Sequence, residues 1–135
     1  MCIRDRTGDY LRASGENWKL QMNPRLVYYY LHQDKIARQS GDHVVLLATV
    51  LPDSINIGYQ EFHDQVVTAV NGQPIRNMAD VFRAVDGAGG LRRVALLGCG
   101  VDLALDETTI DEANRRIAGQ YRIPRLRYQK KTPTD

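Results

Sequence analysis

Three serines and three histidines are the side chains from which a nucleophilic hydrolase would be assembled here: Ser14, Ser40, Ser54, His32, His43 and His63. Serine chemistry needs a hydroxyl, an imidazole and a carboxylate in hydrogen-bonding order, with donors facing the developing oxyanion. None of the serines sits in a nucleophile turn flanked by glycines. Ser54 follows Pro52-Asp53 and reads as a turn residue. The histidines fall on a helix, a strand start and a connector. His63-Asp64 supplies an imidazole beside a carboxylate, but no serine in a suitable loop completes the set. The chain reads as non-catalytic.

Metal and cofactor chemistry fare no better. There is no Cys-x-x-Cys, and no two histidines are spaced to share a helical face. Gly87-Ala88-Gly89-Gly90 follows a helix, whereas a phosphate cradle leads into one. No metal and no cofactor are expected. Cys99, set between Gly98 and Gly100, reads as a small buried hydrophobe. Arg122, Arg125, Arg127, Lys130 and Lys131, interleaved with Tyr121 and Tyr128, form a basic tail that would suit nucleic acid or an acidic surface. A solvated terminus is the plainer reading. With 18 basic and 16 acidic residues the formal charge is only +2, so composition calls for no nucleic-acid partner.

The length of 135 residues suits one domain, and 43% hydrophobic with 25% charged residues is the balance of a folded globular chain. No apolar run approaches the roughly 20 residues of a membrane span; the longest, Val44–Leu51, is of strand length and broken by Thr49. The opening Met1-Cys2-Ile3-Arg4-Asp5-Arg6 resembles a translated transposon-end adapter, so residues 1–6 are expected to be foreign and are set aside from fold reasoning. Residues 7–22 show no period and read as an irregular entry.

Asn23-Pro24 reads as a helix cap followed by proline at the first helical position. Leu26, Tyr29 and Tyr30 keep a helical period, which predicts a helix over about 24–37. His43–Leu51 reads as a buried strand, Ile55–Phe62 as a connector and Gln65–Val70 as a second strand. Asn71-Gly72 is a hairpin turn, after which Pro74-Ile75 can add only a short paired piece. Asn77 is the cap of a helix whose Met78, Val81, Phe82 and Val85 keep the i, i+3, i+4, i+7 stripe. Arg93–Leu97 and Val101–Leu105 read as a hairpin. Thr109 through Glu112 has the pattern of a capping box opening a final helix, with Ile110, Ala113 and Ile117 on one face. Pro124 ends it. These elements predict a small α+β domain.

The stretch Val44–Ser54, then Asp64–Ile75 with its Val-Asn-Gly-Gln-Pro-Ile close, then a short helix, resembles a PDZ domain of the Deg/HtrA serine proteases. Tyr10-Leu11-Arg12, Leu26–Tyr30, Ile55–Tyr59, Glu112-Ala113-Asn114 and Tyr121–Pro124 are similar to the last PDZ domain of Deg proteases of plants and bacteria. Together they cover about residues 9–128.

That resemblance implies a partly open β-barrel or sheet flanked by helices, with an additional C-terminal helix. It implies a domain over 7–124, a basic flexible tail over 125–135, and a parent trypsin-like endopeptidase, with a bacterial cell-envelope setting suspected from relatives. The family's "G-Φ-V-F"-like strand and carboxylate-binding loop have no counterpart ahead of Tyr10. Where relatives often carry glycine at a left-handed helix end, this chain has Arg122, at a cost on the order of 1 kcal/mol.

The implied partners are other protomers or domains of the parent protease, engaged for oligomer assembly or regulation. Peptide C-termini, or nucleic acid through the tail, are the alternatives. The candidate groove or interface residues are Met78, Val81, Phe82 and Val85 on the helix, Tyr28, Tyr29 and Tyr30, and Ile57 and Tyr59 in the connector.

Overall fold

The structure, a computed structural model, describes residues 2–4, 15–17, 20, 22, 24–32, 42–106 and 108–126. The Asn23 cap, the expected helix beyond His32, Tyr10–Arg12 and the tail from Arg127 lie outside the described residues. The elements run β1 (Cys2–Arg4), α1 (Pro24–Leu31), β2 (Leu46–Thr49), a single 3-10 turn (Ser54–Asn56), β3 (Gln65–Val70), β4 (Gln73–Pro74), α2 (Met78–Gly87), β5 (Arg93–Leu96), β6 (Leu103–Ala104) and α3 (Ile110–Gln120). The α+β architecture expected from the sequence is the one observed.

All strand pairs are antiparallel, in the order β1-β2-β3-β5-β6, with β4 folded back on β3. The sheet curls into an open half-barrel. β3 explains the curl. Its first residues pair with β2 (Leu46 opposite Val66), and its later ones pair with β5 and β4. The register with β5 slips between Val67 and Ala69, an irregularity of the kind that raises local twist. β1 was not among the expected elements. Cys2–Arg4 pairs with β2, Ile3 opposite Leu47, and Ile3 packs on the main apolar cluster. An unpaired strand edge presents N–H and C=O groups that any extended segment can satisfy.

The run Val44–Leu51 is broken only at Thr49, the exposed end of β2; up to Ala48 both faces of the strand are covered, the usual reason a strand loses its polar alternation. Val45 and Leu47 point into the main cluster with Val67, Val70, Val81, Val94 and Leu103. Leu46 points the other way and meets Leu26 of α1, with Val44, Val66 and Tyr30 around the pair.

The Asn71-Gly72 bend has φ of 49° and 79°, positive at both central residues, as a two-residue type I′ hairpin requires. Asn77 caps α2 as expected, its side chain accepting from the Asp80 N–H at 3.0 Å. The capping box expected at Thr109 is absent. Thr109 has a helical backbone (φ −115°, ψ −5°), so its hydroxyl makes no cap bond. Asp106 organises the approach instead, accepting from the Thr108 N–H at 2.9 Å and the Thr108 hydroxyl at 2.7 Å.

α3 ends as the resemblance implied. Arg122 has φ 54°, Ile123 N–H donates to the Ala118 carbonyl at 2.9 Å, and Arg122 N–H to that of Gly119 at 3.4 Å. This is a Schellman closure, which glycine makes without a Cβ penalty. Arg122→Gly is therefore expected to stabilise the domain by about 1 kcal/mol. A thermal melt should show a midpoint higher by about 3–6 °C.

Candidate functional site

The nine nominated residues divide between the two sides of the sheet. On α2, Val81 is buried in the main cluster, and Met78 and Val85 pack against that cluster while keeping some exposure. Phe82 is half-buried. The stripe thus spends most of its apolar surface on the core. Tyr59 also packs on that cluster, its hydroxyl accepting from the Ala104 N–H at 3.4 Å and its ring 6.1 Å from that of Phe62. In doing so it covers the outer edge of β6.

Three consecutive tyrosines on α1 meet three fates because each residue turns about 100° round the axis. Tyr30 packs beside Leu26 and Leu46. Tyr29 is half-buried and meets Tyr28 edge-on at 6.0 Å. Tyr28 is 56% exposed and stacks on His32 at 4.3 Å. Leu31, one turn on, is 58% exposed, so α1 presents an apolar strip outward. In the connector, Ile57 is 76% exposed. The tyrosines and the α2 stripe belong to opposite faces of the sheet and do not converge on one groove.

The groups considered for catalysis are dispersed. His63 Nδ1 lies 3.2 Å from Asp64 Oδ2 on the surface, and His32 Nδ1 lies 2.9 Å from the Tyr28 carbonyl. Ser54 is engaged with Asp53 and Arg116. Cys99 packs at the margin of the main cluster, its thiol donating to Gln65 Oε1 at 3.6 Å. Among the described residues no group of three or more His, Cys, Asp or Glu side chains could hold a metal. A cleft of about 520 Å³ opens beside β4 and α2, lined by Gln73, Arg76, Asp80 and Arg83 among others. Its charges are mutually engaged: Asp80 accepts from Arg83 and from the Arg76 N–H.

Two polar centres escaped the sequence reading. Asn71, read only as a turn residue, makes four side-chain hydrogen bonds. Nδ2 donates to the carbonyls of Ala84 (3.1 Å) and Gly90 (2.7 Å), while Oδ1 accepts from the N–H groups of Arg92 (2.8 Å) and Arg93 (3.0 Å). It ties the hairpin to the last turn of α2 and the entry to β5. The second centre is Asp53. It caps the 3-10 turn by accepting from Ile55 N–H, and Asn56, 4% exposed, closes the box by accepting from the Asp53 N–H through its side-chain Oδ1 at 3.1 Å. Arg116 of α3 then forks onto both Asp53 oxygens at 2.8 and 2.6 Å. That fork, with the Ile55 bond, holds the Asp53 carboxyl well below the usual carboxylate range, against the opposing effect of burial. Its contribution to stability is complete above the ordinary aspartate value of about 3.9 and is lost only as pH falls through the lowered one. All four Asn71 partners lie 13 or more residues away, and the Arg116 that forks onto Asp53 lies 63 away, beyond the reach of any local pattern.

The profile of the PDZ domain family matches residues 6–129 of the chain. A stretch of 51 residues is 39% identical to Protease Do-like 2, chloroplastic, of Arabidopsis thaliana, covering 38% of this chain and 8% of that protein. Over 52 residues the chain is 35% identical to the putative Protease Do-like 3, mitochondrial, of the same plant, covering 38% and 9%. The matched stretch is thus less than a tenth of either relative. With a half-barrel sheet, three helices among the described residues and a family match over nearly its whole length, the chain belongs to the PDZ domain family, as a non-catalytic protein-interaction module similar to part of the Do-like proteases.

Proposed function

We propose that this module serves a Deg/HtrA-like serine endopeptidase by joining protomers or neighbouring domains of the parent protease, for assembly or regulation. The observation that carries this reading is the outward apolar surface of Tyr28 and Leu31 on α1 and of Ile57 in the connector. Large apolar side chains held outward on ordered elements favour a protein partner. The α2 stripe, spent largely on the core, leaves less surface for gripping a peptide. In this reading residues 1–6 are a foreign leader, 7–124 the domain proper and 125–135 its basic tail.

Sedimentation velocity of the parent protease tests the proposal. Tyr28→Glu with Leu31→Glu, and separately Ile57→Glu, are expected to yield smaller species than the unaltered protein. An unchanged oligomer in both variants overturns assembly through these surfaces. Titration with C-terminal peptides distinguishes peptide capture: saturable binding with unchanged assembly favours that alternative.

A further inference from the structure

We infer that α3 is a releasable strap, clamped over the Pro52–Asn56 turn by Arg116 on Asp53, and that it opens while the sheet stays folded. Among the described residues, its two buried apolar side chains, Ala113 and Ile117, join neither of the two apolar clusters on the sheet. The helix is therefore a satellite of the sheet. Its polar attachment consists of the Arg116 fork on Asp53, a 3.3 Å bond from Arg116 to Ser54 Oγ, and the Tyr121 hydroxyl donating to the Pro52 carbonyl at 3.1 Å.

The clamp is asymmetric. The Asp53 side chain is 4% exposed and the Arg116 side chain 44% exposed, so the carboxylate is built into the turn while the guanidinium reaches in from solvent. When α3 leaves, Asp53 still accepts from Ile55 N–H and Asn56 still bonds to the Leu51 carbonyl, so the turn keeps its internal bonds. Opening uncovers Ala113, Ile117 and the turn beneath them. Segments tied down by few apolar contacts open before the core does. Acid is not the trigger near neutral pH, because the fork keeps Asp53 ionised far below it.

Native-state hydrogen exchange on the 135-residue chain tests the strap without reference to the assembly proposed above. In the unaltered protein, amides of Ala113–Ile117 are expected to exchange about tenfold or more faster than those of Val67–Val70 in β3. Arg116→Ala should accelerate the α3 amides by a further factor of about ten and leave β3 and β5 unchanged. Asp53→Asn, which retains an acceptor for the cap, should do the same, and the double variant should add little. Equal protection of α3 and β3 in the unaltered chain overturns the strap. So does an Arg116→Ala chain that fails to fold, or one in which β3 and β5 accelerate along with α3.

Discussion

Asn71→Ala is expected to cost about 2–4 kcal/mol of folding stability, read as a lowered denaturant midpoint at unchanged slope. Four side-chain hydrogen bonds disappear together, each worth about 1 kcal/mol net, and alanine adopts the residue's left-handed backbone less readily than asparagine does. The bonds reach the end of α2 and the start of β5, so their loss separates three elements at one point. Two controls isolate the cause. Asn71→Gly keeps the backbone conformation and loses only the bonds. Asn71→Asp keeps both acceptor bonds but points a carboxylate at the carbonyls of Ala84 and Gly90. If Asn71→Ala shifts stability by less than about 0.5 kcal/mol, the side chain is only a turn former.

Leu47→Ala is expected to be of similar or larger effect, about 2–5 kcal/mol. Leu47 is fully buried and faces strands, α2 and β1 at once, so little can move in to fill the space. Leu46→Ala is the informative contrast. Leu46 is just as buried, but its cavity lies beneath α1 beside Leu26, and an eight-residue helix can settle into it. The expected cost falls in the lower half of the same range, with α1 amides losing protection before those of β3. Equal loss at both positions, with no preference for α1, would show that the two faces of β2 form one undivided core.

Most of the scaffold was readable from residue order because it rests on local chemistry. Gln65–Val70 was delimited by its β-branched residues and by Asn-Gly, which sets both the turn type and the register. Asn77 announced α2 through a bond only three residues long. His43–Leu51 was recognisable as a buried strand, though the paired ladder is shorter, at Leu46–Thr49.

The failures share a cause. At Thr109 the capping-box pattern was present, but Asp106 had already fixed the preceding turn and left the threonine backbone helical. Asn71 and Asp53 looked like ordinary turn residues because their partners come from elements that only the folded chain brings near. Arg116 stands 63 residues from Asp53. For the candidate site, residue types were legible but grouping was not. The α2 stripe marked an apolar face without saying how much the core would consume, and the tyrosines sit across the sheet from it.

The midway change of partners along β3 has a bearing on how the domain comes apart. One six-residue strand is the common seam of both halves of the half-barrel, so loss of β3 leaves only the short β1–β2 and β5–β6 ladders, with nothing joining them. Melting of β2, β3 and β5 should therefore register as one event in any probe, with helices at the periphery free to fray ahead of it.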